Sequence, residues 1–434
     1  MDGRAFWQRL ALPILLVGGL GLMAWSAPLK ACTFCGDTLR SRATWRQQMA
    51  QAAWVFYGTL ANPRYDPVRE QGTTEFRVQE VLKGEAAVLP PGQLLLPVYL
   101  PVIGNATPRE YVVLGQRRGQ NWEVTGGFPA NAATVEYLKK LLRLPAEDVT
   151  GRCAFFLQYL DHPEAAVALD AFVELGRTSD ADLYRAALQG AFTPQRLRQL
   201  LQSSQLPDER RGVLAFLLGL CGEVPGDAEF LYHQWRRRTT TNPPVSTENT
   251  PAFMPSSGDS NAALSGLLTG LILLDPPLGW RQAEETLRAT DSSFRQRWAV
   301  VETLRFLQSF RPPPLPTETD AKKRESAGVR RDHRRDILRC CQLLIQQGDL
   351  ADQTIEDLRR WGWWDLTAEI LAHFEHPTHQ APIVRRAIVR YALTAPGPQA
   401  REFIERLRQR EPELVRSVEQ FLRQWEPADN GSRR

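Results

Sequence analysis

The 434-residue chain is poor in the residues that most often carry chemistry: it holds six cysteines, six histidines and four methionines. Cysteine at that density excludes a disulfide-framed miniature fold. The familiar catalytic strings are missing as well. There is no Gly-rich phosphate loop, no His-Glu-x-x-His, no Gly-x-Ser-x-Gly elbow and no calcium-loop spacing. Neither sign of charge dominates. The net charge is +4, of which Arg4, Arg9 and Lys30 against Asp2 supply +2 within the first 31 residues. That balance excludes nucleic acid as a partner, since nucleic-acid binders carry a strongly basic face. Beyond the N-terminus no run is long and apolar enough to cross a bilayer. These absences predict a protein that is not an enzyme and that needs no cofactor and no metal.

What is present begins with an export signal. A basic start (Arg4, Arg9) precedes an apolar run from Leu10 to Trp25, and a short segment closes at Ala31. Residues 1–31 therefore read as a signal peptide, which places the rest in the periplasm, the cell envelope or the extracellular space. The run contains Pro13 and falls short of the roughly twenty residues a spanning helix needs. An uncleaved anchor remains the other reading. Cleavage after Ala31 leaves Cys32 first. Leu29 and Ala31 are placed before it as in a lipoprotein box, with Lys30 departing from that pattern. Membrane contact is expected only through an uncleaved signal or a lipidated Cys32.

The next hundred residues read as short strands flanked by helices. A helix is predicted over about Thr38 to Ala53. Strands follow at Trp54 to Leu60, Thr74 to Leu82, Leu94 to Leu100, Tyr111 to Leu114 and Trp122 to Thr125. Turn signals divide them at Asn62-Pro63, Lys83-Gly84, Pro90-Pro91-Gly92, Gly104-Asn105 and Gly115. A helix over Ala132 to Leu144 carries Val135, Leu138 and Leu142 on one stripe and should pack on the sheet. Five short strands with helices suggest a small barrel or a curved sheet.

Three strings in this region resemble the netrin-like module, the family that includes the N-terminal domain of the tissue inhibitors of metalloproteinases. They are Cys32-Thr33-Phe34-Cys35, Ala53 to Leu60, and Phe76 to Gly84 with its Phe-x-Val-x-x-Val-x-Lys-Gly order. The resemblance implies a five-stranded OB-like barrel over residues 32–145. It also implies that a free amine at Cys32, with Thr33, Phe34 and Cys35 beside it, could chelate a protease's zinc. The chain departs from the family in having Cys-x-x-Cys where the inhibitors have Cys-x-Cys. The next cysteine is Cys153, so the partners the family pairs inside the module are absent. Cys-x-x-Cys also suits a redox pair, but the βαβ context of such pairs is missing. A structural disulfide that tethers the terminus through Cys32 or Cys35, its partner left open, or a lipid anchor, is the plainer reading.

From Gly151 onward the texture is helical, and it repeats. Ala166 to Leu175, Arg211 to Leu220, Arg297 to Phe306 and Ile383 to Ala392 share one pattern. Ala171, Ala215, Ala299 and Ala387 stand at one position of it, spaced by 44, 84 and 88 residues. One period and two double periods fit stacked helical units. Tyr159 to Glu164, with its Asp-His-Pro, resembles a HEAT-repeat turn, and His373 to Pro377 resembles it with a longer loop. The fold class predicted is thus multidomain, α and β: a small N-terminal OB-like β-barrel and a HEAT-like α-solenoid over residues 151–425. Flexible insertions are expected near 237–261 and 311–331, and a disordered tail over 426–434.

The remaining clusters read as structural. His373, His376 and His379 stand three apart, a poor same-face spacing at 3.6 residues per turn, and Pro377 breaks any helix through them. Trp361, Trp363 and Trp364 read as core, with Trp363 and Trp364 the candidates for a binding surface. Cys340 and Cys341 read as buried thiols, because a vicinal disulfide is strained. Arg385, Arg386 and Arg390 could meet an acidic partner or simply face solvent. The functional expectation is an exported, non-catalytic scaffold for a protein partner. The alternatives are a metalloprotease-inhibitor-like protein acting through Cys32, and an enzyme of unknown chemistry.

Overall fold

A computed structural model describes residues 33–35, 42–84, 94–100, 109–118, 121–240, 257–312 and 331–425. The expected signal peptide, Cys32, the central parts of both expected insertions and the tail lie outside the described residues.

The first unit is a five-stranded antiparallel sheet of order β3-β2-β1-β4-β5. Its strands are β1 (Trp54–Asp66), β2 (Gln71–Lys83), β3 (Leu94–Leu96), β4 (Glu110–Arg118) and β5 (Asn121–Pro129). Two helices flank it, α1 (Trp45–Gln51) and α2 (Ala132–Arg143). Period-2 alternation divides β1 between two cores. Val55 faces α2 with Val112 and Leu114, while Trp54 and Phe56 join Leu60, Phe76, Leu94, Leu96 and Val113 on the opposite face. Gly58 is required where the β1–β2 register shifts, since a Cβ there would lie 2.0 Å from the Arg77 carbonyl oxygen. The Lys83 ammonium donates to the Met49 and Ala52 carbonyls, both at 2.6 Å, and so closes the C-terminus of α1.

Several expectations shift here. Asn62-Pro63, read as a turn, lies inside β1, where Asn62 takes φ 46° beside a register shift. Asn tolerates that conformation, so the strand bulges and continues. β3 ends at Leu96 rather than Leu100, and β4 and β5 run longer than predicted. On α2, Leu142 faces solvent at 37%, and Tyr137 and Leu141 take its expected place in the core.

The rest is helical: α3 (Val149–Gln158), α4 (Ala165–Arg177), α5 (Asp180–Leu188), α6 (Pro194–Gln202), α7 (Asp208–Cys221), α8 (Gly226–Thr240), α9 (Ser257–Leu274), α10 (Pro276–Arg288) and α11 (Phe294–Ser309). After residue 330 come α12 (Arg334–Gln347), α13 (Ala351–Trp361), α14 (Thr367–Ala372), α15 (Pro382–Thr394), α16 (Pro398–Arg410) and α17 (Pro412–Trp425). Alternate helices touch. α5 meets α7, α7 meets α9, α9 meets α11, α13 meets α15 and α15 meets α17, while α10 meets α12 and α14 meets α16. Arg305 of α11 reaches α13 through Asp357 at 2.6 Å. The four repeat alanines are fully buried, on α4, α7, α11 and α15. Among the described helices, Ala215, Ala299 and Ala387 stand four apart, and Ala171 stands three before Ala215. Of the segment expected as an insertion near 237–261, the described ends are helical, because α8 continues to Thr240 and α9 begins at Ser257.

A polar seam joins the sheet unit to the helices. The Trp45 backbone N–H and the Tyr137 hydroxyl donate to Asp170, at 2.8 and 2.9 Å, and Arg46 pairs with buried Glu174 at 2.9 Å. Burial raises the Asp170 carboxyl to about 6, against the two hydrogen bonds that pull it down. A carboxyl raised in the folded state binds protons that the unfolded chain has already released. This group therefore stabilises the fold more as pH falls from about 6 toward about 4, and the benefit is lost as pH rises through 6. The expected contribution is about 1 kcal/mol gained between pH 7 and pH 5. Chemical unfolding at the two pH values should show it as a wild-type gain absent from Asp170→Asn. Equal pH slopes for the two proteins would refute the assignment.

Candidate functional site

Three places bring chemistry-bearing residues together. The first is the N-terminal 3-10 turn, Thr33–Cys35. Phe34 was expected at a binding surface. It is instead 2% exposed, with its ring 5.3 Å from Phe216 and 4.8 Å from Phe306. Thr33 donates from its backbone N–H and its hydroxyl to the Asp180 carboxylate, at 3.3 and 2.8 Å. The turn packs on α4, α7 and α9. An apolar ring costs least where water is excluded, and the chain supplies that place itself. Residues 33–35 therefore pack with the helices, although the domain boundary drawn from sequence put them with the sheet.

The second place is a cleft of about 640 Å³ lined by Leu307, Phe310, Arg311, Arg331, Arg334 and Trp363, among others. Gly362 at φ 69° ends α13 and turns the chain so that Trp363 and Trp364 leave in different directions. Trp364 packs edge-on against Tyr391, at 5.0 Å between ring centroids. Trp363 is half-buried, and the Arg334 guanidinium lies over its ring at 4.6 Å from the centroid. Arg334 also pairs with Asp365 at 2.7 Å, and Arg331 with Asp336 at 2.8 Å. Among the described residues Arg311 bonds only the adjacent Phe310 carbonyl, at 3.0 Å, so within that set its charge is the least compensated of the three.

Two of the three arginines singled out on α15 are engaged elsewhere, and Arg386 is exposed. Arg385 pairs with Glu411 at 2.6 Å and covers the Phe374 ring, while Arg390 pairs with Glu356 at 3.3 Å and covers the Phe421 ring. Burial opposes ionisation of Glu356, but Arg359, Arg390 and Arg360 together hold its carboxyl below the usual range. Cys340 and Cys341 are buried thiols, and desolvation raises both well above the ordinary thiol range. Cys153 is likewise buried and is pushed up to about 12. Such thiols are poor nucleophiles at neutral pH.

The third place is the turn that carries the histidines. Two consecutive 3-10 turns, His373–Glu375 and Pro377–His379, form the inter-helix turn expected from sequence. At three residues per turn, side chains three apart eclipse one another, so the spacing that fails on an α-helix succeeds here. One ligand atom from each of His373, His376 and His379 lies within 4.8 Å of the others. The His373 and His379 rings stack at 4.4 Å. Burial and the neighbouring imidazoles lower the pKa of both. Pro377, which already excluded a helix through these residues, fits the tight turns; the convergence of the three rings had no signal in the sequence. No protein-family model, no curated protein and no solved structure matches the chain.

Proposed function

We propose that the chain is an exported, non-catalytic scaffold. In this reading an OB-like barrel is followed by a HEAT-like solenoid, and the cleft around Trp363 seats a segment of a protein partner. The β1 strand divided between two apolar cores supports a curled sheet. The alternation of helix contacts and the buried alanines support stacked helical pairs. The observation that carries the binding proposal is the Arg334 guanidinium stacked on half-buried Trp363 inside an open cleft. Large aromatics and arginines of this kind carry most of the energy in protein interfaces. The partner chemistry that fits is an apolar anchor against Trp363, with a carboxylate within reach of Arg311. The inhibitor reading through Cys32 has no such support, because Thr33 and Phe34 are held by the chain's own helices.

The test is cross-linked capture from a cell-envelope extract, comparing the wild type with Trp363→Ala and Arg311→Glu. Arg401→Glu, an exposed position on α16, serves as the control. Trp363→Ala should weaken capture of a discrete partner by about tenfold or more, the loss typical of an interface anchor, while Arg401→Glu leaves capture unchanged. Equal capture by all four proteins would remove the cleft from consideration.

A further inference from the structure

The histidine cluster outside that cleft is built in a way that points to a ligand. We propose that His373, His376 and His379 form a site for one late first-row transition ion, Zn²⁺ being the ion to test, with the fourth position open to water.

Hydrogen-bond logic fixes the protonation of two rings. The Ile345 carbonyl can only accept, so the His379 Nε2 that lies 2.7 Å from it carries the proton and donates. The His379 Nδ1 then carries the lone pair, and Thr378 Oγ1, 2.8 Å from it, donates its single proton there, a hydrogen bond that an ion at Nδ1 would replace. The same hydroxyl oxygen lies 2.8 Å from His376 Nδ1, which must therefore carry a proton and donate. That leaves the His376 Nε2 lone pair, on an exposed ring, as the second potential ligand atom. Metal-bound histidines typically donate their other N–H to a carbonyl or similar oxygen, which fixes ring and tautomer. His379 has that arrangement through Ile345, and His376 has it through Thr378. His373 stacks on His379 and completes the set of three.

The scaffold is held from several sides. Gln380 Nε2 donates to the Phe374 and His376 carbonyls, at 3.1 and 3.0 Å, and clasps the two turns together. The Thr378 carbonyl lies on Gly348, where a Cβ would approach it to 2.8 Å. A tetrahedral ion with bonds near 2.0–2.1 Å places its nitrogens about 3.4 Å apart. From a widest separation of 4.8 Å, two rings closing by about 0.7 Å each would reach it. Three neutral imidazoles suit zinc, copper or nickel, whereas magnesium and calcium require oxygen donors. The nearby carboxylates are engaged, Glu369 by Gln342 and Gln346 and Glu375 by Arg410, which leaves the fourth position to solvent.

The experiment titrates Zn²⁺ into the tag-free full chain by calorimetry and Co²⁺ by visible absorption. The expected result is one equivalent bound, with the strong Co²⁺ bands of a tetrahedral field. His376→Ala, at an exposed ring, should bind about tenfold more weakly or worse while its circular dichroism matches the wild type. His373→Ala should behave the same way, which separates a metal site from a hydrogen-bonded cluster of Thr378, His376 and His379 alone. The proposal fails if the wild type shows no saturable binding, if either variant binds as the wild type does, or if excess Mg²⁺ displaces the zinc.

Discussion

Gly270→Val should destabilise the helical part by roughly 3 kcal/mol or more, at the upper end of what overpacking costs. The reason is the absence of anything that could move aside. A Cβ on Gly270 would lie 2.2 Å from the Ala215 carbonyl oxygen, and one on Gly219 would lie 2.4 Å from the Gly270 Cα. One turn away, a Cβ on Gly266 would lie 2.4 Å from the Gly212 Cα, and one on Gly212 would lie 2.1 Å from the Ala262 carbonyl oxygen. Each obstacle is backbone, so relief requires α7 and α9 to separate along their whole crossing. α9 also contacts α8, α10 and α11, so that displacement would spread through the centre of the molecule. Total stabilities of domains lie near 5–15 kcal/mol, which makes such a loss large. Gly226→Ala is the control, because nothing lies within 4 Å of a Cβ there. Urea unfolding followed by circular dichroism measures both. A Gly270→Val midpoint equal to that of the wild type would show that the two helices are not in backbone contact.

Phe34→Ala has the second-largest expected effect. Complete truncation of a buried phenylalanine typically costs about 3–5 kcal/mol. The Phe34 ring sits in a cluster with Phe216 and Phe306, themselves 5.2 Å apart, and Phe310 stacks on Phe306 at 5.0 Å. Removing the ring opens a cavity that these aromatics cannot fill without leaving their own contacts. The two hydrogen bonds from Thr33 to Asp180 are exposed and too weak to hold the turn alone. Two changes are therefore expected together: a loss of about 3 kcal/mol in unfolding free energy, and new proteolytic cleavage in the chain preceding residue 42. Phe34→Leu should fall between the wild type and the alanine variant. Wild-type stability with an intact N-terminus in Phe34→Ala would refute the packing.

The sequence and the structure agree where periodicity is strong and part company where local geometry is unusual. The sheet strands announced themselves through aromatic and β-branched runs, and the four repeat helices through their buried alanines. α9 did not, although it falls within the double period between Ala215 and Ala299. It is apolar on every side because helices surround it, so it has no polar stripe to mark its period. Its glycines, which argue against a helix in isolation, are there for close packing. Phe34 looked available because a ring near a terminus has no periodicity to betray its burial, and its partners lie more than 180 residues away. The histidines were dismissed on a 3.6-residue turn that the chain does not use at that point. Trp361, Trp363 and Trp364, read as core, pack partly buried against it, and the guanidinium over Trp363 comes from Arg334, a contact no spacing rule supplies.

The seat of Phe34 bears on how the protein can be divided. Among the described residues, the chain touches the helical body at Thr33–Cys35, departs to build the sheet, and then returns to complete the helices. The β unit is therefore an excursion from a body to which the chain is moored on both sides of it. A fragment starting after the sheet would arrive with its aromatic socket uncorked, and a greasy hole of that kind invites a second copy to plug it.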